Sequence, residues 1–438
     1  MKSEDIVVDP KIVTFGCRLN SYESDVMRQH LQQLPADDVI VVNSCAVTGE
    51  AERQVKQSIR KLRRENPAAK ILVTGCAAQL HPGDYANMPE VNGVFGNREK
   101  LDPTRLAEFV GGKPQESFTT PTPVAVQNIM EVRETAHHLL SGVDQRTRAF
   151  LQIQQGCDHR CTFCIIPYAR GNSRSTPADQ IIHQIQHLME AGVGEVVLTG
   201  VDITSYGPDL ANPLTLGELT QQILRQVPEL KRLRLSSIDP IEMDPALWEA
   251  VKSEPRLMPH LHLSLQAGDT MILKRMKRRH SAEQAVKLCD DLRGMRSDIA
   301  LGADIIAGFP TEDESMFQNS LRHVQECGIS FLHVFPYSSR TGTPAAKMPQ
   351  VPVEVRRERA GRLREMGDLQ RQLFFQSQQG KIQQILVEKT ESDYATGHSQ
   401  HFAPVRLSMP AKIGSIVQAT ATGWQPTNLL ADIQGDAA

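Results

Sequence analysis

Short runs of β-branched and apolar residues alternate along the chain with stretches in which apolar positions recur every three or four residues. Lys11–Phe15, Val39–Val42, Lys70–Thr74 and Val91–Phe95 predict strands, with helices over Ser21–Leu34 and Glu50–Arg64 between them. That alternation predicts a small parallel α/β sheet. Gly111–Gln127, rich in Gly, Pro and Thr, breaks the pattern and reads as a linker. From Arg148 the alternation resumes, with strands at Ala149–Gln154, Glu195–Leu198, Arg232–Ser236, His260–Leu265, Ala300–Ile306 and Phe331–Phe335. Thr176-Pro177, Thr215 and Asp244-Pro245 mark helix starts between them. Six strand–helix units predict an open six-stranded barrel rather than a closed eight-stranded one. Glu354–Gln379 reads as a charged helical connector. Lys381–Leu430 falls into short β-rich pieces (Ile382–Glu388, Val405–Leu407, Ser415–Thr420), as a small all-β barrel requires. The expected class is α/β, with an amino-terminal parallel α/β domain over 9–127, the six-stranded barrel over 143–375 and the small β-barrel over 379–438.

Composition narrows the function. With 438 residues, 40% hydrophobic and 23% charged, the chain has the material for several packed cores and is neither disordered nor collagen-like. No apolar run approaches the ~18 residues of a membrane span. The stretch after Lys2 is not apolar, which argues against secretion and for a cytoplasmic protein. A net charge of −3 leaves any nucleic-acid contact to local patches.

The eight cysteines carry the chemistry. In a reducing compartment disulfides are disfavoured, so metal and redox roles gain weight. Cys157, Cys161 and Cys164 lie within eight residues, directly after the first barrel strand. A structural zinc site or an ordinary cluster wants a fourth ligand, and the loop offers only His159, badly placed inside the turn. The alternatives are a zinc knuckle or buried cysteines on one side, and on the other a four-iron cluster whose open iron takes a chelating substrate. Loops at the carboxyl ends of barrel strands are where such folds do chemistry.

The Cys157-x3-Cys161-x2-Cys164 spacing, with Phe163 before the last cysteine, resembles that of the radical S-adenosylmethionine (SAM) enzymes. That resemblance implies a [4Fe-4S] cluster whose open iron binds the amino and carboxylate groups of SAM, and cleavage of SAM to methionine and a 5′-deoxyadenosyl radical. It further implies cofactor contacts at the other strand ends. These are Thr199 and Gly200 after the second strand, Ser237 after the third, and Ser264 and Gln266 after the fourth. Ile306 and Gly308 follow in the Asp304–Pro310 run.

Cys17, Cys45 and Cys76 each follow a predicted strand within three residues, so a parallel sheet brings all three to one edge. By residue type alone they are either three buried structural cysteines or a ligand set. Gly16-Cys17-Arg18-Leu19-Asn20, Asn43-Ser44-Cys45-Ala46-Val47-Thr48 and Thr74-Gly75-Cys76-Ala77-Ala78-Gln79 resemble the signature of the methylthiotransferases. These are radical SAM enzymes that hold a second [4Fe-4S] cluster through three amino-terminal cysteines. The resemblance covers nearly the whole chain, including a tail similar to the TRAM domain of tRNA-modifying enzymes. Arg18-Leu19-Asn20 after the first cysteine, Leu198–Ile203 and Ser236–Pro240 resemble most the bacterial type that acts on N6-threonylcarbamoyladenosine (t6A). The type acting on isopentenyladenosine usually carries Gln-Met-Asn after its first cysteine. The resemblance implies methylthiolation of C2 of t6A at position 37 of tRNA, with an electron donor and a sulfur source as further partners. The alternatives are isopentenyladenosine-37, a ribosomal-protein aspartate, or a non-catalytic iron–sulfur or zinc RNA-binding protein.

Three basic tracts are candidates for tRNA contact: Arg53–Arg64, Met271–His280 and Pro352–Lys381. The second follows the fourth barrel strand on the catalytic edge, so Lys274, Arg275, Lys277 and Arg278 are the expected RNA-binding residues. Phe402 and Trp424 read as core of the small barrel before base-stacking residues. Cys289 and Cys327 lie in helical patterns and read as packing residues, and His137-His138 as surface. His260 and His262 alternate on a strand and read as core histidines.

Overall fold

The computed structural model describes residues 11–34, 38–111, 122–133 and 147–434. The amino-terminal stretch, most of the linker read at Gly111–Gln127 and His137-His138 lie outside the described residues. Lys11–Thr14, Val39–Ser44, Lys70–Gly75, Gly93–Phe95 and Val124–Ala125 form one parallel sheet in chain order. The fifth strand corrects the linker reading. It has two residues behind Pro123, too few to show a period, and forms because the Val94 and Gly96 amides donate to the Pro123 and Ala125 carbonyls.

The first helix, Arg18–Leu31, starts three residues before its expected position because extended Cys17 serves as its N-cap. It has two apolar faces. Met27 and Leu31 pack with Val39, Val41 and Leu72 of the sheet, whereas Leu19, Tyr22 and Val26 join the core of the barrel. Burying both faces of one helix removes apolar surface of both sheets from water and seats them against each other.

The barrel strands are Arg148–Gln152, Glu195–Thr199, Leu233–Leu235 continued by Ser237–Ile238, His260–Gln266, Ala300–Ala307 and Phe331–Pro336. The third strand breaks at Ser236. Its first part closes a three-stranded sheet with the first two strands, and its second part opens a four-stranded sheet with the last three. Among the described residues the first and sixth strands do not pair, so the barrel is open. The helix-start signals act as expected at Thr215, which forms a reciprocal capping box with Glu218, and at Asp244, which caps the Leu247 amide. Cys289 and Cys327 are fully buried in the barrel's core.

Helix Val353–Gln378 leads to a closed barrel of five strands, ordered Ile382–Thr390, Ala395–Ser399, Pro404–Leu407, Asn428–Ile433, Ile416–Gln425. The second and fourth of these were not expected. Ala-Thr-Gly-His-Ser has little strand preference of its own and is ordered by pairing on both edges. Phe375, Ile385, Val387, Val405, Leu407 and Leu429 fill its centre, and Trp424 packs against them. Phe402 does not join that core.

Candidate active site

The loop carrying Cys157, Cys161 and Cys164 is anchored from several directions. The Thr162 hydroxyl donates to the Arg275 carbonyl at 2.8 Å, and its amide donates to the Met276 carbonyl at 3.0 Å. Arg160 donates to the Cys157 carbonyl at 2.7 Å and to Asn172 Oδ1 at 3.0 Å, and Asp158 accepts from the Ser173 amide at 3.0 Å. The three sulfurs are half-buried and mutually repulsive as thiolates. Burial pushes the Cys164 thiol up to about 12 and the Cys157 thiol higher still, the latter also opposed by Asp202. Thiols in this state are poor nucleophiles. A bound cation reverses the balance and deprotonates them outright.

His159 turns away from the sulfurs toward two acids, with Nε2 3.0 Å from Asp202 and 3.7 Å from Glu242. Hydrogen bonds to Asp202 and Glu242 raise its pKa to about 10. The imidazolium is therefore committed to carboxylates, as its poor position in the turn suggested. Neither acid was singled out from the sequence, because each lies in a different loop.

Cys17, Cys45 and Cys76 end three adjacent parallel strands, so they meet at the carboxyl edge of the amino-terminal sheet. Cys45 is raised to about 11, mainly by burial, and the charges of Cys76 and Cys17 act on it directly. Gly16 lets the backbone pass: with φ of +101°, its missing Cβ would stand 3.0 Å from the Cys45 sulfur. Asn97 Nδ2 lies 3.9 Å from the Cys76 sulfur.

A buried ionic network joins the two cysteine sets. Helix Ile166–Arg170 follows Cys164, and its Ile165 and Ala169 pack in the core of the amino-terminal sheet. Arg170 directs Nε to the Cys76 sulfur at 3.2 Å, Nη1 to Glu23 Oε1 at 2.8 Å and Nη2 to Asn20 Oδ1 at 2.5 Å. Lys100 Nζ completes the Glu23 site at 2.6 Å. Burial alone would raise Glu23, but Arg170 and Lys100 outweigh it and hold the carboxyl at about 2.

Comparison with known proteins agrees with this arrangement. Residues 151–324 match the radical SAM superfamily, and residues 10–96 match a group described as uncharacterized protein family UPF0004. A threonylcarbamoyladenosine tRNA methylthiotransferase MtaB from Rickettsia prowazekii (strain Madrid E) is 48% identical, over 94% of this chain and 94% of its own length. The chain belongs to the radical SAM tRNA methylthiotransferase family. A protein of the same name from Aquifex aeolicus (strain VF5) is 35% identical over 85% of this chain and 91% of its own. A tRNA-2-methylthio-N(6)-dimethylallyladenosine synthase from Anaplasma marginale (strain St. Maries) is 33% identical over 91% and 90%. Among solved structures, the radical SAM methyltransferase TsrM from Kitasatospora setae aligns with a TM-score of 0.50 at 14% identity. The alignment covers 75% of this chain and 66% of that one, and shows a shared fold.

In this methylthiotransferase the expected cofactor contacts all lie at the carboxyl ends of barrel strands, on the side of the cysteine loop. Thr199 is buried, and its carbonyl accepts the Ile153 amide. Gly200 leaves room for Gln154, whose Oε1 would be 2.9 Å from an added Cβ. Ser237 and Ser264 are half-buried, and Gln266 adopts φ of +70° at a register shift. Ile306 packs in one cluster with Phe163, whose ring meets Phe309 edge-on at 6.4 Å. Gly308, at φ of +70°, donates its amide to Glu312 and would clash with Arg356 if it carried a Cβ.

The four-residue basic tract is divided by the structure. Lys274 and Lys277 are exposed, whereas Arg275 donates to the Thr311 carbonyl and Arg278 to Asp239 and the Ser264 carbonyl. Arg278 also approaches the Cys161 sulfur at 3.8 Å. In the other tracts, Arg63 is turned back onto backbone carbonyls and Arg359 is buried against Glu312.

The barrel's inner face holds groups that sequence reasoning passed over. His262 Nε2 lies 2.9 Å and His333 Nδ1 3.3 Å from Asp304 Oδ1, on three neighbouring strands. His262 thus has an acid within hydrogen-bond distance, beyond the core role expected of it. The period-two spacing of His260 and His262 was the available signal, but nothing local named Asp304 as the partner.

Proposed function

We propose that this protein adds a methylthio group to C2 of t6A at position 37 of tRNA. The observation that carries the reading is the 48% identity, over nearly the whole of both chains, to an enzyme named for that nucleoside. The 33% identity to a dimethylallyladenosine enzyme is the weaker match. Cys157, Cys161 and Cys164 are assigned to the SAM-binding [4Fe-4S] cluster, and Cys17, Cys45 and Cys76 to a second one. The donor sets fit: each is three sulfurs with no fourth protein ligand committed among the described residues, His159 being engaged by carboxylates. When bound, the clusters and SAM supply the electron, the hydrogen-abstracting power and the sulfur and methyl groups. An aromatic C–H offers no acidic proton, so the chain's part is placement rather than acid–base work.

That placement is divided among the domains. Phe163, Thr199, Gly200, Ser237, Ser264, Gln266, Ile306 and Gly308 form the cradle for SAM at the strand ends. Arg160 and Arg278 hold the cysteine loop in register with it. Arg170 and Glu23 fix the distance between the two cysteine sets. Lys274 and Lys277 receive phosphates of the anticodon stem-loop, assisted by the TRAM-like barrel over 379–438. The amino-terminal domain is assigned to 9–127 and the radical SAM domain to 143–375. A cytoplasmic electron donor and a sulfur source complete the cycle.

Nucleoside mass spectrometry of tRNA from cells with and without the gene tests the reading. Loss of methylthio-t6A with accumulation of t6A is the expected result. Persistence of methylthio-t6A with loss of another methylthio nucleoside would overturn the substrate assignment.

A further inference from the structure

The inner end of the barrel holds an excess of guanidinium groups. Arg148, Arg232 and Arg234 converge on the fully buried Glu195, and Arg148 also pairs with Glu388 of the small barrel at 2.8 Å. Phe402, from a turn of that small barrel, enters the group. Its ring is 5.0 Å from the guanidinium carbons of both Arg148 and Arg234. Arg18 comes to the same ring at 5.3 Å from near the other end of the chain, one residue after Cys17.

Arg18 differs from its neighbours. Arg148 and Arg234 are bound to Glu195, but among the described residues the guanidinium of Arg18 makes neither a hydrogen bond nor an ion pair. Asp304 attracts it without pairing, being engaged by His262 and His333. A half-buried guanidinium has lost part of its hydration, and a cation–π contact returns only a fraction of it. Its donors remain free for a planar anion. The platform is itself held under strain. Phe402 adopts φ of +65°, in the left-handed region that bulky residues avoid, and its ring stacks on His398 at 4.9 Å. The Ser399 hydroxyl, accepting from the His401 and Ala403 amides, keeps the turn in that shape.

We propose that Arg18 receives the carboxylate of the threonylcarbamoyl group of the substrate nucleoside, with Phe402 holding the guanidinium in place. The inference rests on the t6A reading above and adds the residue that enforces it. The threonyl carboxylate is an anion, the dimethylallyl group carries no charge, and the unpaired cation stands next to a cysteine of the second set. A site built around a charged hydrogen-bond donor rejects a ligand that leaves the donor unpaired. The carboxylate of SAM has the same chemistry, so the test must separate the two.

Three anticodon stem-loop RNAs, carrying t6A37, its carboxyl methyl ester or unmodified A37, are compared on the reconstituted enzyme and its Arg18→Gln variant. Dissociation constants come from fluorescence anisotropy and turnover from methylthio-nucleoside yield. Wild type is expected to favour the acid over the ester by about tenfold or more in affinity. R18Q should bring the acid down to the ester's level while leaving the ester, the iron content and the KM for SAM in RNA-free cleavage unchanged. Equal use of acid and ester by wild type overturns the proposal and needs no folded variant. A raised KM for SAM in R18Q assigns the carboxylate to SAM and also overturns it. Methylthiolation of none of the three RNAs removes the t6A reading, and the proposal with it.

Discussion

Nε of Arg170 lies 3.2 Å from the sulfur of Cys76, although the two residues are 94 positions apart and follow strands of different sheets. Arg170 closes the short helix that begins just after Cys164, so the segment leaving one cysteine set is tied to a cysteine of the other. Around it, Glu23 and Lys100 are fully buried, and Asn20 and Gln155 satisfy the remaining guanidinium donors.

Removing Arg170 should therefore cost both stability and the proposed second cluster. In Arg170→Met, Glu23 keeps Lys100 as a cationic partner and Gln155 as a hydrogen-bond donor, and a buried carboxylate stripped of a partner typically costs ~3–5 kcal/mol. The double variant Arg170→Met/Glu23→Gln should lose more, because Lys100, itself fully buried, then loses the carboxylate beside it. Urea unfolding of the two variants checks this. If the double variant is no less stable than the single one, pairing with Glu23 is not what holds Lys100 in the interior.

The two cysteine sets should separate in a metal count. Wild type, reconstituted anaerobically, is expected to hold about eight irons with matching sulfide, as two four-iron clusters require. Cys17→Ala should fall to about four irons, still cleave SAM to 5′-deoxyadenosine, and form no methylthio product. Cys161→Ala should lose SAM cleavage itself. Full methylthiolation by the Cys17 variant would remove the second cluster from the account.

Much of this design was legible in the chain because it is written in local patterns. The six barrel strands each show an apolar run bounded by turn residues, and Thr215 and Asp244 cap helices by chemistry that reaches only three residues ahead. The cysteines are legible for the same reason: each follows a strand end directly, and parallel pairing does the rest. What stayed hidden depends on the meeting of distant segments. Arg18 and Phe402 are separated by nearly the whole chain, and Asp304 acquires its histidines only across strand pairing. Arg278 looked like a surface cation in a basic run, but the turn after helix Thr270–Arg275 points it at Asp239. Val124–Ala125 has no pattern at all without the sheet edge it completes.

Glu312 should give the fold a distinct pH dependence. Burial raises its pKa to about 7, although Arg359 at 2.8 Å and the Gly308 amide pull it down, with exposed Glu314 adding a small upward push. The unfolded value is ~4.3, so between there and about 7 the folded state binds the extra proton. Stability from this group is thus greatest at the acid end, declines as pH rises through that window, and is flat above it. The full decline is about 4 kcal/mol as an upper bound. Glu312→Gln should remove it, so the difference in urea midpoint between variant and wild type widens from pH 5 to pH 7.5. A constant difference across that range would mean that Glu312 stays ionised throughout, held by Arg359.

The basic tract yields the sharpest division between neighbouring residues. Lys274 and Lys277 point outward with no ion pair among the described residues, whereas Arg278 is tied to Asp239 at 2.7 Å and to the Ser264 carbonyl at 2.9 Å. A phosphate contact announces itself in the salt dependence of binding, because each neutralised phosphate releases condensed counterions. Lys274→Glu/Lys277→Glu should weaken stem-loop binding at low salt and flatten the log–log salt slope by about 1–2, while leaving RNA-free SAM cleavage unchanged. Arg278→Ala should do the reverse. Asp239 would keep only Arg279 as a cationic partner, and the cysteine loop would lose the strand end it is registered against. Iron retention and SAM cleavage should then fall with little change in the salt slope. If Arg278→Ala flattened the slope as much as the lysine pair, the guanidinium would have to leave Asp239 when RNA arrives, and the loop's register would be set by the RNA itself.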